Sequence, residues 1–176
     1  MWYATRSCRR SCRHTTVSTA DRRVAELVVE VQRAAAGAPT TRKLGDWARA
    51  AWRGEGRAAE VVVRITGEAE SRHLNRDYRG KDKPTNVLSF PSEPIPGFDN
   101  PHIGDLVVCA PVVAHEATAQ GKSADAHWAH MIVHGMLHLQ GYDHENDADA
   151  LEMETLETHI LTGLGFPAPY ADDEAP

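Results

Sequence analysis

Residues 134 to 144 read HGMLHLQGYDH. If the preceding stretch is helical, His134 and His138 lie one turn apart on a single face, as two ligands of one metal ion must. Gly141 then ends the helix, because glycine enters the left-handed region without steric cost. The chain can turn back there and bring His144 toward the same point. Three neutral imidazoles leave one tetrahedral position for water, which is the arrangement of a catalytic rather than a structural zinc site. Zinc would lower the pKa of that water to about 7 and supply hydroxide at neutral pH. Three imidazoles also suit other divalent metals, nickel among them.

The spacing H-x3-H-x5-H is that of the metzincin proteases, whose pattern carries a glutamate after the first histidine. That glutamate takes the proton from zinc-bound water during peptide hydrolysis. Here the position is Gly135, so a similar cage stands without the peptidase base and a protease is disfavoured. Two more histidines, His127 and His130, precede the motif on nearly the same stripe. Spacing alone permits the set His130, His134 and His138, but a nearly straight helix cannot wrap three successive turns around one small ion. His127 and His130 are read as packing histidines or as supports behind the ligands.

The elements that must position these residues follow from periodicity. Residues 24–31 (VAELVVEV) read as a first strand, and residues 60–66 (EVVVRIT) as a second, buried one. Between them, Leu44, Trp47, Ala48, Ala51 and Trp52 form a helical stripe that Gly54 and Gly56 end. Residues 68–78 predict a helix, followed by the polar turn GKDKP. A third strand covers residues 86–90, a proline-rich loop residues 93–101, and a fourth strand residues 102–109. A short helix is expected at residues 114–120, with Gly121 at its C-terminal end. Ser123 caps the histidine-bearing helix through about Gln140. Asn146 caps a last helix in which Met153, Leu156, Ile160 and Leu164 share one stripe. Asp105 is read as ending a turn and Cys109 as a small buried hydrophobe. The fold class is α+β, a four-stranded sheet layered with about five helices.

With 176 residues, 41% hydrophobic and 25% charged, the chain has the composition of one globular domain rather than of a disordered polymer. No run approaches the ~20 apolar residues of a membrane span. Three cysteines are too few for a disulfide framework. The first 23 residues, rich in Arg, Ser and Thr, lack the apolar core of a secretory signal and are expected to be a disordered extension of a cytoplasmic protein. The domain is expected over residues 24–170, with an acidic tail at 171–176. The net charge of −6 conceals an asymmetry: from Asp143 onward there are ten acids and no Lys or Arg. That run is read as a solvated helix face and a frayed tail. The preceding sequence carries a basic surplus, so overall acidity does not exclude a nucleic-acid partner.

Three motifs in order resemble the YbeY family of bacterial single-strand-specific metallo-endoribonucleases: LNRDYRGKDKPTNVLSF (residues 74–90), GDLVVC (residues 104–109) and HGMLHLQGYDH. The resemblance covers roughly residues 44–170. It implies one Zn²⁺ held by His134, His138 and His144, a functional arginine at Arg79, and a mostly parallel four-stranded sheet. It also implies maturation of the 3′ end of 16S rRNA and late 70S ribosome quality control. The partners implied are single-stranded rRNA, small-subunit proteins and an assembly GTPase. The family offers Asp or Asn where Asn86 stands, so no function hinges on a carboxylate there. Arg79 presents a planar fork of donors suited to phosphate. Arg72, Arg76, Arg79, Lys81 and Lys83 form a candidate backbone track, of which Arg79, Lys81 and Lys83 are the expected RNA contacts. Asp143, beside His144, is read as supporting a ligand histidine or serving as a base. The alternative function is a non-catalytic ribosome-assembly factor whose zinc is structural.

Overall fold

The computed structural model describes residues 27–54, 57–93, 97, 100–144 and 147–170. Four strands and five helices follow in the order β1 (Leu27–Arg33), α1 (Thr41–Ala51), β2 (Ala59–Thr66), α2 (Glu68–Arg79), β3 (Val87–Pro91), β4 (His102–Cys109), α3 (Ala110–Ala119), α4 (Ala124–Leu139) and α5 (Asp147–Gly163). The strands form one sheet in the order β1-β2-β4-β3. β1, β2 and β4 run parallel, and β3 closes the edge antiparallel to β4. The expected α+β architecture with a mostly parallel sheet is the one observed.

Alternation of side chains divides the sheet's two faces. Val61, Val63, Ile65, Leu106 and Val108, all essentially inaccessible, face the core under α1 and α4. The opposite parity meets α2: Arg64 holds Glu70 at 2.6 Å, and Phe90 packs edge-on against Tyr78 with centroids 4.9 Å apart. β4 takes a bulge opposite Glu60 and Val61, and Gly104 stands there with φ +142°. A Cβ on Gly104 would lie 2.3 Å from the Phe90 carbonyl oxygen, so only glycine lets the two strands approach.

Some boundaries differ from the sequence reading. β1 continues to Arg33 because β2 offers partners that far, Arg33 opposite Ile65; residues 24–26 lie outside the described residues. α3 starts at Ala110 rather than 114, with Pro111 in its first turn, where a missing N–H breaks no helical hydrogen bond. Asp105 is not at a turn: it sits within β4, paired with Val62 and Phe90, and 3.3 Å from the His102 ring. Cys109 is fully buried, as expected, and burial pushes its thiol pKa up. The expected N-terminal extension, Asn146 and the acidic tail lie outside the described residues.

Candidate metal centre

α4 begins where the Ser123 hydroxyl accepts the Ala126 N–H at 3.2 Å. Its apolar side, with Trp128, Ile132, Met136 and Leu137, is buried in the core. His127, His130, His134 and His138 recur every three or four residues along another side, which is what 3.6 residues per turn requires of neighbours on one stripe. The helix ends in a Schellman motif. Gly141, at φ +89°, gives its N–H to the His138 carbonyl at 3.1 Å, and Tyr142 gives its N–H to Leu137 at 3.2 Å. This reversal carries His144 back to the helix end, its ring centroid 5.0 Å from that of His138 and 5.8 Å from that of His134.

One ring nitrogen from each of these three histidines lies within 4.8 Å of the others. The Nε2 atoms of His134 and His138 are 3.1 Å apart, close to the ~3.3 Å edge of a tetrahedron built on metal–nitrogen bonds of ~2.05 Å. Burial, and then the neighbouring His134 and His144, lower the pKa of His138. A neutral imidazole keeps the lone pair that a metal needs. The donor set therefore fits a divalent metal of the zinc class. The alternative set with His130 in place of His144 does not form.

Behind the ligands lies a carboxylate that sequence reasoning missed. Glu157 of α5 is wholly inaccessible to solvent. Its Oε1 accepts from His134 Nδ1 at 2.7 Å, while Oε2 accepts from His130 Nε2 at 3.3 Å and from the Tyr170 hydroxyl. Burial alone would raise its pKa, but the hydrogen bonds from His130 and His134 prevail and hold it at about 2. Glu157 is thus an exception to the solvated acidic face. It shares the stripe of Met153, Ile160 and Leu164, and a lone acid at helical spacing among apolar residues was the available signal. His130, His134 and Glu157 also gather donor atoms within 4.8 Å, but those atoms are engaged in these hydrogen bonds.

His127, itself buried, is held in a second, partly buried group. Its Nε2 meets Glu116 Oε2 at 2.8 Å, and the same carboxylate accepts from Asn86 Nδ2 at 3.1 Å. Asn86 Oδ1 accepts the Val87 N–H at 2.7 Å, so the side chain ties the start of β3 to α3. Neither His127 nor His130 belongs to the gathering of His134, His138 and His144.

The three histidines open onto a cleft of about 710 Å³, whose lining includes Arg79, Lys81, Asn86, Ser89 and Asp143. α2 fixes the loop that carries the cations. The Ser71 hydroxyl donates to the Thr85 carbonyl at 2.8 Å and accepts its N–H at 3.0 Å, and Asn75 Nδ2 donates to the Lys83 carbonyl at 2.7 Å. Arg72 clamps Asp82 through two bonds of 2.7 Å. Of the five-residue basic track, only Arg79 and Lys81 line the cleft. Arg72 is committed to Asp82, Arg76 bonds Asp77 and His73, and Lys83 is exposed outside the lining. Asp143 Oδ1 accepts the backbone N–H of His144 at 2.7 Å but stands 3.7 Å from that ring's Nδ1, too far for a hydrogen bond.

Gly135 explains the missing peptidase glutamate in steric terms. A Cβ there would lie 2.8 Å from Leu106 Cδ2 and 3.3 Å from Val87 Cγ2. The position after the first histidine points into the sheet, and Gly135 offers its carbonyl to the Ser89 hydroxyl at 3.3 Å. A Cβ there would force the buried Leu106 side chain to shift, and a larger side chain would crowd β3 and β4 further.

Residues 23–165 match the model of the family described as Endoribonuclease YbeY. The chain belongs to the YbeY family. It is 56% identical over 142 residues to the Endoribonuclease YbeY of Halorhodospira halophila (strain DSM 244 / SL1), an alignment covering 79% of this chain and 92% of that protein. The YbeY-type fold is also similar to the solution structure of TM1509 from Thermotoga maritima. That match has a TM-score of 0.50 and 23% identity, and covers 85% of this chain and all of the other. At that identity the likeness is one of fold. Among the described residues, no helix is long and apolar enough to cross a membrane.

Proposed function

We propose that this protein is a zinc-dependent endoribonuclease that cuts single-stranded RNA, with rRNA, including the 3′ end of 16S rRNA, as its substrate in ribosome maturation and late 70S quality control. The observation that carries the reading is the convergence of His134, His138 and His144 on one cleft that Arg79 and Lys81 also line. The family's printed description, Endoribonuclease YbeY, supports the reaction class. Small-subunit proteins and an assembly GTPase present the substrate in the cytoplasm under this reading.

Zinc bound by His134, His138 and His144 supplies Lewis acidity and lowers the pKa of water to about 7. The chain's own residues do the rest. Arg79 places its guanidinium fork on the nonbridging oxygens of the scissile phosphate, where charge builds during attack. Lys81 holds a neighbouring phosphate as a point charge. Lys83, outside the lining, meets the RNA backbone farther along the strand. Asp143 holds the His144 backbone, and so fixes the third ligand's loop. Three histidine donors gather at a cleft with no fourth protein donor among the described residues, which suits a catalytic site better than the closed four-ligand cage of a structural zinc. That observation favours catalysis over a non-catalytic assembly role.

Incubating metal-quantified protein with end-labelled single-stranded and duplex RNA tests the reading. It predicts internal cuts in the single strand only. Intact single-stranded RNA in the presence of a full zinc complement would overturn it.

A further inference from the structure

We infer that Glu157 is the positioning residue of the metal centre: it fixes the tautomer and ring orientation of His134, and His130 and Tyr170 in turn fix Glu157. The inference rests on the metal reading proposed above.

An ionised carboxylate only accepts hydrogen bonds, so each imidazole nitrogen facing Glu157 must carry a proton. His134 therefore holds its proton on Nδ1, 2.7 Å from Oε1. Its Nε2 is left as the lone-pair nitrogen, and that is the atom 3.1 Å from His138 Nε2. The alternative tautomer would place a proton where the ion must bind and an unprotonated nitrogen against an anion. The other carboxylate oxygen is held by His130 Nε2 at 3.3 Å and by the Tyr170 hydroxyl, so the carboxylate cannot rotate away from His134. A buried charge needs such partners to be tolerated at all.

Glu157 also does not serve as a ligand of a second ion. Such an ion would have to displace the Nδ1 proton and share the His134 ring with the first. The ring would then be an imidazolate, with both nitrogens stripped at neutral pH. The hydrogen-bonded geometry instead matches a carboxylate–histidine–metal arrangement, whose outer carboxylate raises the basicity of the ligand. Glu157 reaches the site from α5, so docking of that helix completes the metal site without adding a ligand.

Two measurements test this. The first needs no variant: ¹⁵N shifts of the histidine rings in the zinc-free wild-type protein should report His134 protonated at Nδ1. A proton on Nε2 instead would overturn the inference. The second compares zinc affinity, by competition with a chromophoric chelator, between wild type and Glu157→Gln, which keeps the shape and removes the charge. Weakening of about 10- to 100-fold is expected, with one zinc per chain still bound. Equal affinity in a folded Glu157→Gln protein would overturn the inference while leaving the metal site intact. Two zinc ions in wild type and one in the variant would also overturn it, since Glu157 would then be a ligand. Failure of the metal reading itself looks different: wild type and His138→Ala would bind zinc equally poorly.

Discussion

His134 and His138 present their Nε2 atoms to each other at 3.1 Å across one turn of α4. The rings meet nearly at right angles, 84°, and the separation is close to the donor–donor edge of a tetrahedral metal site. Burial first, and then its histidine neighbours, lower the pKa of His138. His138→Ala removes one of three donors at little cost to packing at the cleft edge. Zinc affinity should fall by more than about 100-fold, beyond the loss usual for an outer partner. Equilibrium dialysis against buffered zinc measures it.

Arg79 and Arg72 make a contrast on one helix. Arg72 is spent on Asp82 through two bonds of 2.7 Å, whereas Arg79 lines the cleft. Arg79→Glu should abolish RNA cleavage while leaving zinc content and melting temperature unchanged. Arg79→Lys should keep part of the binding but lose rate, because a point charge cannot grip two phosphate oxygens at once. Arg72→Ala should leave cleavage within about 2-fold, since an ion pair this exposed contributes little to holding the loop. Steady-state cleavage of a short single-stranded RNA separates the three.

Gly135 should tolerate even a methyl only at a cost in stability. An added methyl meets Leu106 Cδ2 at 2.8 Å, and overpacking of this kind typically costs ~1–3 kcal/mol. Gly135→Ala should therefore lower the melting temperature by several degrees. Gly135→Glu, which restores the peptidase pattern on paper, should fold poorly and show no peptidase activity. Thermal melts and a casein digestion assay check both.

His127 gives the zinc-free protein a defined pH response. Its side chain is 3% exposed, and desolvation lowers its pKa below the ordinary 6.5 despite the Glu116 partner. The unfolded chain thus takes up a proton near pH 6.5 that the folded chain refuses. Stability is fully present above that pH and is lost as pH falls below it, toward the lower folded value. His138, also lowered, adds in the same direction. Melting of chelated protein should shift downward between pH 7.5 and 5.5. An upward shift would mean that His127 is a charged partner of Glu116.

The histidine triad was legible because its geometry is local: an i, i+4 pair on a helix, a glycine with positive φ and a third histidine three residues on. The sheet was legible too, most clearly at β2, whose β-branched run Val61, Val62, Val63 and Ile65 suits a buried strand. Glu157 was not, because its partner lies 23 residues away in sequence and meets it only after α5 docks. The commitment of Arg72 and Arg76 to acids, and the exclusion of Lys83 from the cleft, depend likewise on how the loop folds back on α2. α3 begins earlier than the expected residue 114 because Pro111 fits a helix's first turn.

The most direct test strips the protein of metal and adds zinc back in steps while single-stranded rRNA cleavage is followed, with His138→Ala treated in parallel. The account predicts no cleavage without metal, full activity restored at one zinc per chain, and no recovery in the variant. Cleavage by the metal-free protein, or undiminished cleavage by His138→Ala, would contradict it.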